Sequence, residues 1–302
     1  VYTDEYQDFL AAMALVNVDI GYILSSSCLL ATDFYNRLVL ATVAPMVICL
    51  ACAVTFFIAK MRNRTSNTAG PIVKHKHVSM VLFVVFFVYS SVSFTIFQTF
   101  VCDSLDDGND YLRADYSITC NTERHTAYTA CAWLMVLVYP VGVPAFFAFW
   151  LVSHRRELQN PRRETVSSLK PYPSLWAAYN PSCYYYQVVE CGRRIVLTGA
   201  AVFVLPGSAE QVAIVLFLAV AFMLVSEALC PFRSITDMWL YRWGNGIILA
   251  SMYVALLLKV DLAEEDSRSS SAITVLLIAA NVFMIFTVAV QAVLLMRGLC
   301  AS

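Results

Sequence analysis

Charge is what this 302-residue chain has least of: Asp, Glu, Lys and Arg make up 14% of it, and 60% of its residues are hydrophobic. Soluble domains carry about 25% charged residues. With a mean hydropathy of +0.68, that deficit excludes a nucleic-acid-binding domain, a disordered tail and an ordinary cytosolic enzyme. It indicates an integral membrane protein. Histidine is also scarce. The four residues His75, His77, His125 and His154 lie in loops or at the edges of apolar stretches, which excludes a haem held between paired histidines inside a bilayer. No lysine sits in the middle of an apolar stretch, so a retinal Schiff base has no anchor. No stretch carries arginines at every third position, so a voltage sensor is not expected. There is no GxSxG, no HExxH and no phosphate-cradling glycine loop, so the chain is expected to be no enzyme and to hold no cofactor or metal. Neither an internal repeat nor a low-complexity tract is visible. Residue 1 is Val rather than Met, and no charged segment with a cleavage site follows it. The expectation is a numbering that starts inside a longer precursor.

What is present is apolar length. A bilayer core about 30 Å thick needs ~20 apolar residues per helix. Leu38–Ala59, Val78–Val101, Ala127–Val152, Ala209–Cys230, Met238–Leu258 and Ala272–Met296 meet this need. A shorter stretch, Cys191–Leu205, is the fourth in chain order and is closed by Pro206 and Gly207. It either extends back through Tyr184, Tyr185 and Tyr186 or re-enters the same face. The expected fold is an all-α bundle of seven transmembrane helices. Loop charges orient it. Lys60, Arg62, Arg64, Lys74 and Lys76 fall between the first two stretches; Arg155, Arg156, Arg162, Arg163, Lys170, Arg193 and Arg194 fall between the third and fourth. With Arg233, Arg242 and Arg297, fifteen of the 20 basic residues share one side, while sixteen of the 21 acidic residues lie on the other. The positive-inside rule then puts the N-terminus outside and the C-terminus in the cytosol.

Residues 1–37 alternate apolar and polar side chains and carry Asp4, Glu5, Asp8, Asp19 and Asp33. They read as an exoplasmic segment at the interface, or as the packed end of a missing ectodomain; residues 38–302 form the membrane domain. Lys170–Tyr186, with its tyrosines, tryptophan and prolines, reads as an interfacial segment whose rings sit at headgroup depth.

Seven of the ten cysteines fall in apolar stretches or on the basic side, where a thiol is a small apolar filler. Cys28, Cys102 and Cys120 fall on the acidic side. Cys102 and Cys120 bracket a polar loop in an oxidising compartment, so a disulfide between them is expected, with Cys28 able to compete for either partner. The loop holds Asp103, Asp106, Asp107 and Asp110. Calcium would suit such oxygen donors, but Leu105 and Ala114 stand where an EF-hand needs ligands, and a solvated acidic loop is the preferred reading. Glu190 stands at i,i+3 and i,i+4 spacing to Arg193 and Arg194. That cluster reads as charge pairing, or as a patch for the anionic lipids of the inner leaflet. In the sixth stretch, Asn245 between Gly244 and Gly246 reads as a packing device.

The stretches Asp107–His125 (DGNDYLRADYSITCNTERH), Tyr139–Pro144 (YPVGVP), Glu190–Gln211 (ECGRRIVLTGAAVFVLPGSAEQ) and Pro231–Asp237 (PFRSITD) together resemble a known family. It is the multi-pass, TRP-like C-terminal region of large cysteine-rich-repeat surface proteins of algae, oomycetes and related protists. The resemblance covers roughly residues 1–260 and implies a truncated ectodomain; it carries over no catalytic residue. It implies a plasma or ciliary membrane location and other membrane or extracellular subunits as partners. A rhodopsin-type receptor shares the count and orientation, but Ser153-His154-Arg155 replaces its DRY triplet and NPxxY is missing. The expected function is a cation-channel-like or sensory subunit. The alternatives are a seven-span receptor and an anchor for an extracellular filament or matrix.

The orientation generates a direct test. Asn63-Arg64-Thr65 is the chain's only usable N-glycosylation sequon, and it lies in the first basic loop. Glycan transfer is lumenal, so Asn63 stays bare, whereas a sequon completed at Asn109 is modified. A gel-shift assay with and without glycosidase reads both; a glycan on Asn63 inverts the topology.

Overall fold

The computed structural model describes residues 33–62 and 69–259, apart from Asp107 and residues 206–207, with isolated positions between Ala279 and Val290. The expected seventh span, those isolated positions apart, the 1–32 segment and Cys28 lie outside the described residues. The chain divides into two compact units, Ala14–Phe203 and Val204–Ser302, the second including Val1–Met13.

In the first unit, α1 (Phe34–Arg62) and α2 (Ala69–Gln98) pack side by side. After α2 the chain forms a small antiparallel meander of β1 (Cys102–Ser104), β2 (Asp110–Leu112) and β3 (Asp115–Thr119). Gly108, at φ +79°, makes the turn between β1 and β2, a backbone state open to glycine at little cost. Next come α3 (Glu123–Val136), a π-helical turn (Leu137–Gly142) and α4 (Val143–Ser153). Thr122 caps α3, its hydroxyl accepting from the His125 N–H at 3.2 Å, one of the orphan donors that open a helix. Short helices α5 (Arg155–Leu158) and α6 (Pro173–Trp176) lead into α7 (Tyr186–Phe203). The second unit contains α8 (Ala209–Leu229), capped by Ser208 through the Gln211 N–H, and α9 (Ile235–Lys259).

Among the described residues, four stretches are long and apolar enough to cross a membrane: Phe34–Met61, His75–Gln98, Glu123–Ser153 and Ala209–Leu229. Only 17–44% of each span is buried, and Leu50, Phe57, Phe83, Phe149 and Phe217 are well exposed. Apolar faces turned outward suit a lipid solvent. The expected fourth and sixth spans are helices, α7 and α9; α7 falls short of that apolar standard, and α9 does so over its described residues. Glu190, Arg193 and Arg194 interrupt the first; Asp237, Arg242 and the Gly244-Asn245-Gly246 triplet dilute the second. Inside α9, the Asn245 amide turns back to the Tyr241 carbonyl at 3.0 Å. Across the second unit, Arg242 on α9 grips Glu227 on α8 with two donors, Nε at 2.7 Å.

The π turn has a local cause. Pro140 supplies no N–H, so the ladder widens by one residue there. Two tyrosines hold the opened segment. Tyr139 donates to the Thr42 carbonyl at 2.6 Å, and Tyr89 donates to the Pro140 carbonyl at 3.4 Å. The receiving carbonyl on α1 is next to that of Ala41, which loses its i+4 donor to Pro45. Gly142 closes the turn, because a Cβ there would stand 2.7 Å from the Leu137 carbonyl oxygen. Gly142→Ala therefore loses about 1–3 kcal/mol, whereas Gly246→Ala, with nothing within 4 Å of the new methyl, is neutral or stabilising by up to about 1 kcal/mol. Denaturant titration in detergent ranks the two; equal stability would show that the wide turn has no structural role.

Candidate functional site

Two buried clusters mark the ends of the first unit. One gathers Phe34, Tyr35 and Leu38 of α1, Val92 and Ile96 of α2, Leu112 and Cys120 of the meander, and Tyr139. The other gathers Leu82, Tyr89, Phe147 and Trp150 with Leu158, Leu169, Leu175, Trp176 and Cys191.

At the first end the meander forms a cap. Cys102 and Cys120 are joined by a disulfide with Cα atoms 6.5 Å apart. The loop expected to be only solvated is organised by its own carboxylates. Asp103 accepts two donors from Arg113, Nε at 2.8 Å, and the Tyr116 hydroxyl at 2.8 Å. Asp110 accepts the Ser104 hydroxyl and the Asn121 amide. Asp115 bonds both the backbone and hydroxyl of Ser117, and its other oxygen accepts the Phe34 N–H of α1 at 3.2 Å. A carboxylate at a helix N-terminus opposes the positive end of its dipole, so this bond ties cap to helix. Asp106 is exposed in the turn, and Asp107 lies outside the described residues. Asp103, Asp110 and Asp115 thus face protein donors rather than one another. Among the described residues, the group whose ligand atoms converge is Cys102, Cys120 and His125.

His125 is the residue sequence reasoning passed over. It starts α3, is 7% exposed, and has its Nδ1 3.0 Å from the hydroxyl of Tyr35, itself 1% exposed. Its Nε2 faces Cys102 Sγ at 4.0 Å. Tyr35 stacks on Tyr128 with ring centroids 4.0 Å apart, and the Arg124 guanidinium lies over its ring. The one hint in the sequence is its spacing of five positions from Cys120, which by itself does not single it out.

At the second end, Glu190 gathers the cluster the sequence proposed. Arg193 donates from Nε at 2.8 Å and from its terminal nitrogen at 2.6 Å; Arg194 donates from Nε at 3.0 Å. Arg194 also lies 4.2 Å from the Phe86 ring centroid. The Glu190 side chain is 7% exposed and that of Arg193 12%. Removing the carboxylate would strand two shielded guanidinia, a loss of about 3–5 kcal/mol. Below them the 154–185 stretch packs inward. Arg163, 1% exposed, donates to the Leu158 and Tyr179 carbonyls and lies over Trp176. Trp176 donates to Leu169, and Tyr179 donates to Gln187. Trp176, Tyr179 and Tyr186 are buried in a packed plug, while Tyr185 is exposed.

The Arg113 hydrogen bonds hold the Asp103 carboxyl below the ordinary carboxylate range. A lowered folded-state value means this contribution is present above the unfolded value and is lost as pH falls through the folded one. Acid titration below the ordinary carboxylate range therefore loosens the cap, and Asp103→Asn removes that acid step while weakening the cap at neutral pH. Hydrogen exchange of the 102–120 amides against pH measures both; an acid step unchanged in Asp103→Asn would assign it elsewhere.

No protein-family model, curated protein or solved structure matches the chain.

Proposed function

We propose that the chain is the membrane domain of a cell-surface protein, a seven-span bundle with its N-terminus outside, acting as a cation-preferring, channel-like sensory subunit. In this reading α7 and α9 are the fourth and sixth spans, and the seventh lies beyond the described residues. The disulfide suits an oxidising outer compartment, and the exposed Arg155, Arg156, Arg162 and Lys170 suit the cytosolic face and its anionic headgroups. Arg193 and Arg194 join that face as paired charges.

One observation carries the sensory reading. The cap is tied to α1 by Asp115 and Tyr35, and α1 is tied through Thr42 and Tyr139 to the proline-opened turn. A force on the cap thus reaches the one segment of the third span whose hydrogen-bond ladder is already widened. Such turns are where helices bend and where two arrangements lie close in energy. The anchor reading draws on the same cap: three of its aspartates are committed to internal bonds, a rigid base for an upstream ectodomain.

Reconstitution in a planar bilayer separates the readings. Cation-selective current under membrane stretch is expected, since the acidic outer side concentrates cations over a range of about 8 Å at physiological salt. Neutralising the exposed Asp106 together with Asp107 lowers conductance more at low salt than at high salt. Anion selectivity overturns the electrostatic argument. Silence under stretch, voltage and calcium assigns the chain to a receptor or an anchor.

A further inference from the structure

We propose that Cys102, Cys120 and His125 form a latent metal site, closed while the disulfide stands and opened by its reduction to bind zinc(II). The inference does not rest on orientation or conduction. The three ligand atoms lie within 4.8 Å of one another. A tetrahedral zinc with Zn–S near 2.3 Å and Zn–N near 2.0 Å needs ligand atoms roughly 3.5–3.8 Å apart. Cys102 Sγ and His125 Nε2, at 4.0 Å, are already near that spacing. The two sulfurs must part, which breaking their bond allows.

The histidine is what sets this corner apart from an ordinary structural disulfide. A bridge needs no imidazole beside it, yet His125 is 7% exposed, with Nε2 turned to the sulfur at a distance that makes only a weak contact. Its other nitrogen meets the Tyr35 oxygen at 3.0 Å. With the proton on Nδ1 donated to Tyr35, the Nε2 lone pair points at the sulfurs. Metal-bound histidines are held this way, their second nitrogen donating to a fixed acceptor. Tyr35 is fixed by its stacking on Tyr128, and the His125 backbone by the Thr122 cap. The Cys120 N–H is bonded to the Asp110 carbonyl at 2.8 Å, and Cys102 pairs with Leu112 in the sheet. The ligands are therefore held by backbone that survives loss of the bridge. Cys102 is the most exposed of the three, giving an entry path and a fourth position for water.

The chemistry balances with a thiol or phosphine reductant. It supplies two electrons and is itself oxidised, the S–S bond breaks, and each sulfur takes one proton. Zinc then displaces both thiol protons and binds two thiolates and the neutral imidazole. Zinc is favoured over calcium or magnesium because sulfur and nitrogen donors suit it, and among the described residues no carboxylate joins the group.

The test uses the full chain in detergent. Maleimide first blocks every free thiol in the air-oxidised protein, so that a phosphine reductant then frees only the bridged pair. Bound zinc is measured after desalting, and cobalt(II) serves as a spectroscopic probe. The expected result is about one zinc per chain after reduction and none before, with a thiolate-to-cobalt charge-transfer band appearing only in the reduced sample. His125→Asn and Tyr35→Phe, at unchanged helicity, weaken zinc binding about 10–100-fold. Reduced wild-type chain that holds no stoichiometric zinc, or gives cobalt no thiolate band, overturns the proposal. So does zinc affinity unchanged in His125→Asn.

Discussion

The hydrogen bond between the Tyr35 hydroxyl and the His125 ring joins residues 90 positions apart, and the first unit is organised around it. Tyr35 belongs to α1, His125 to the first turn of α3, and the disulfide sulfur beside His125 belongs to the cap. One buried polar contact therefore registers two long helices and a sheet. The stakes are high because both partners are shielded from water: a buried polar group without its partner costs more than the bond itself contributes. The outward faces of α1–α4 are apolar, so the bundle needs a few polar contacts to fix how its helices are rotated.

Those contacts lie at three levels along the unit. Near the cap are Tyr35–His125 and Asp115–Phe34; midway are Tyr139–Thr42 and Tyr89–Pro140; at the far end is Glu190 with its two arginines. Two of the three levels sit where proline or a helix end leaves backbone groups unpaired. The sequence places its donors where the ladders are incomplete. This is an economical way to hold helices together in a solvent that offers no hydrogen bonds.

Helix existence was legible because ~20-residue apolar runs leave little choice of structure. The 102–120 cap was read as a solvated loop, since strands of three to five residues are too short to show an alternating pattern. Its aspartates looked like free charge because their partners, Arg113, Tyr116 and the Phe34 N–H, are set by tertiary folding. Glu190 with Arg193 and Arg194 was legible from helical spacing alone. His125 was not: a histidine at the edge of an apolar run has no period to betray it, and its significance comes from Tyr35, far off in sequence. The inward packing of part of the aromatic 170–186 stretch was hidden for a related reason. The Trp176 ring lies against Arg163, which also donates to the Tyr179 carbonyl, contacts that composition does not reveal.

The account rests on the cap and the basic plug facing opposite sides of a membrane. Single-cysteine labelling in intact cells tests this most directly, with a membrane-impermeant maleimide and the free thiols of the background replaced by serine or alanine. A cysteine at position 106 is expected to label from outside, and one at position 162 only after permeabilisation. Labelling of both from the same side would contradict the account.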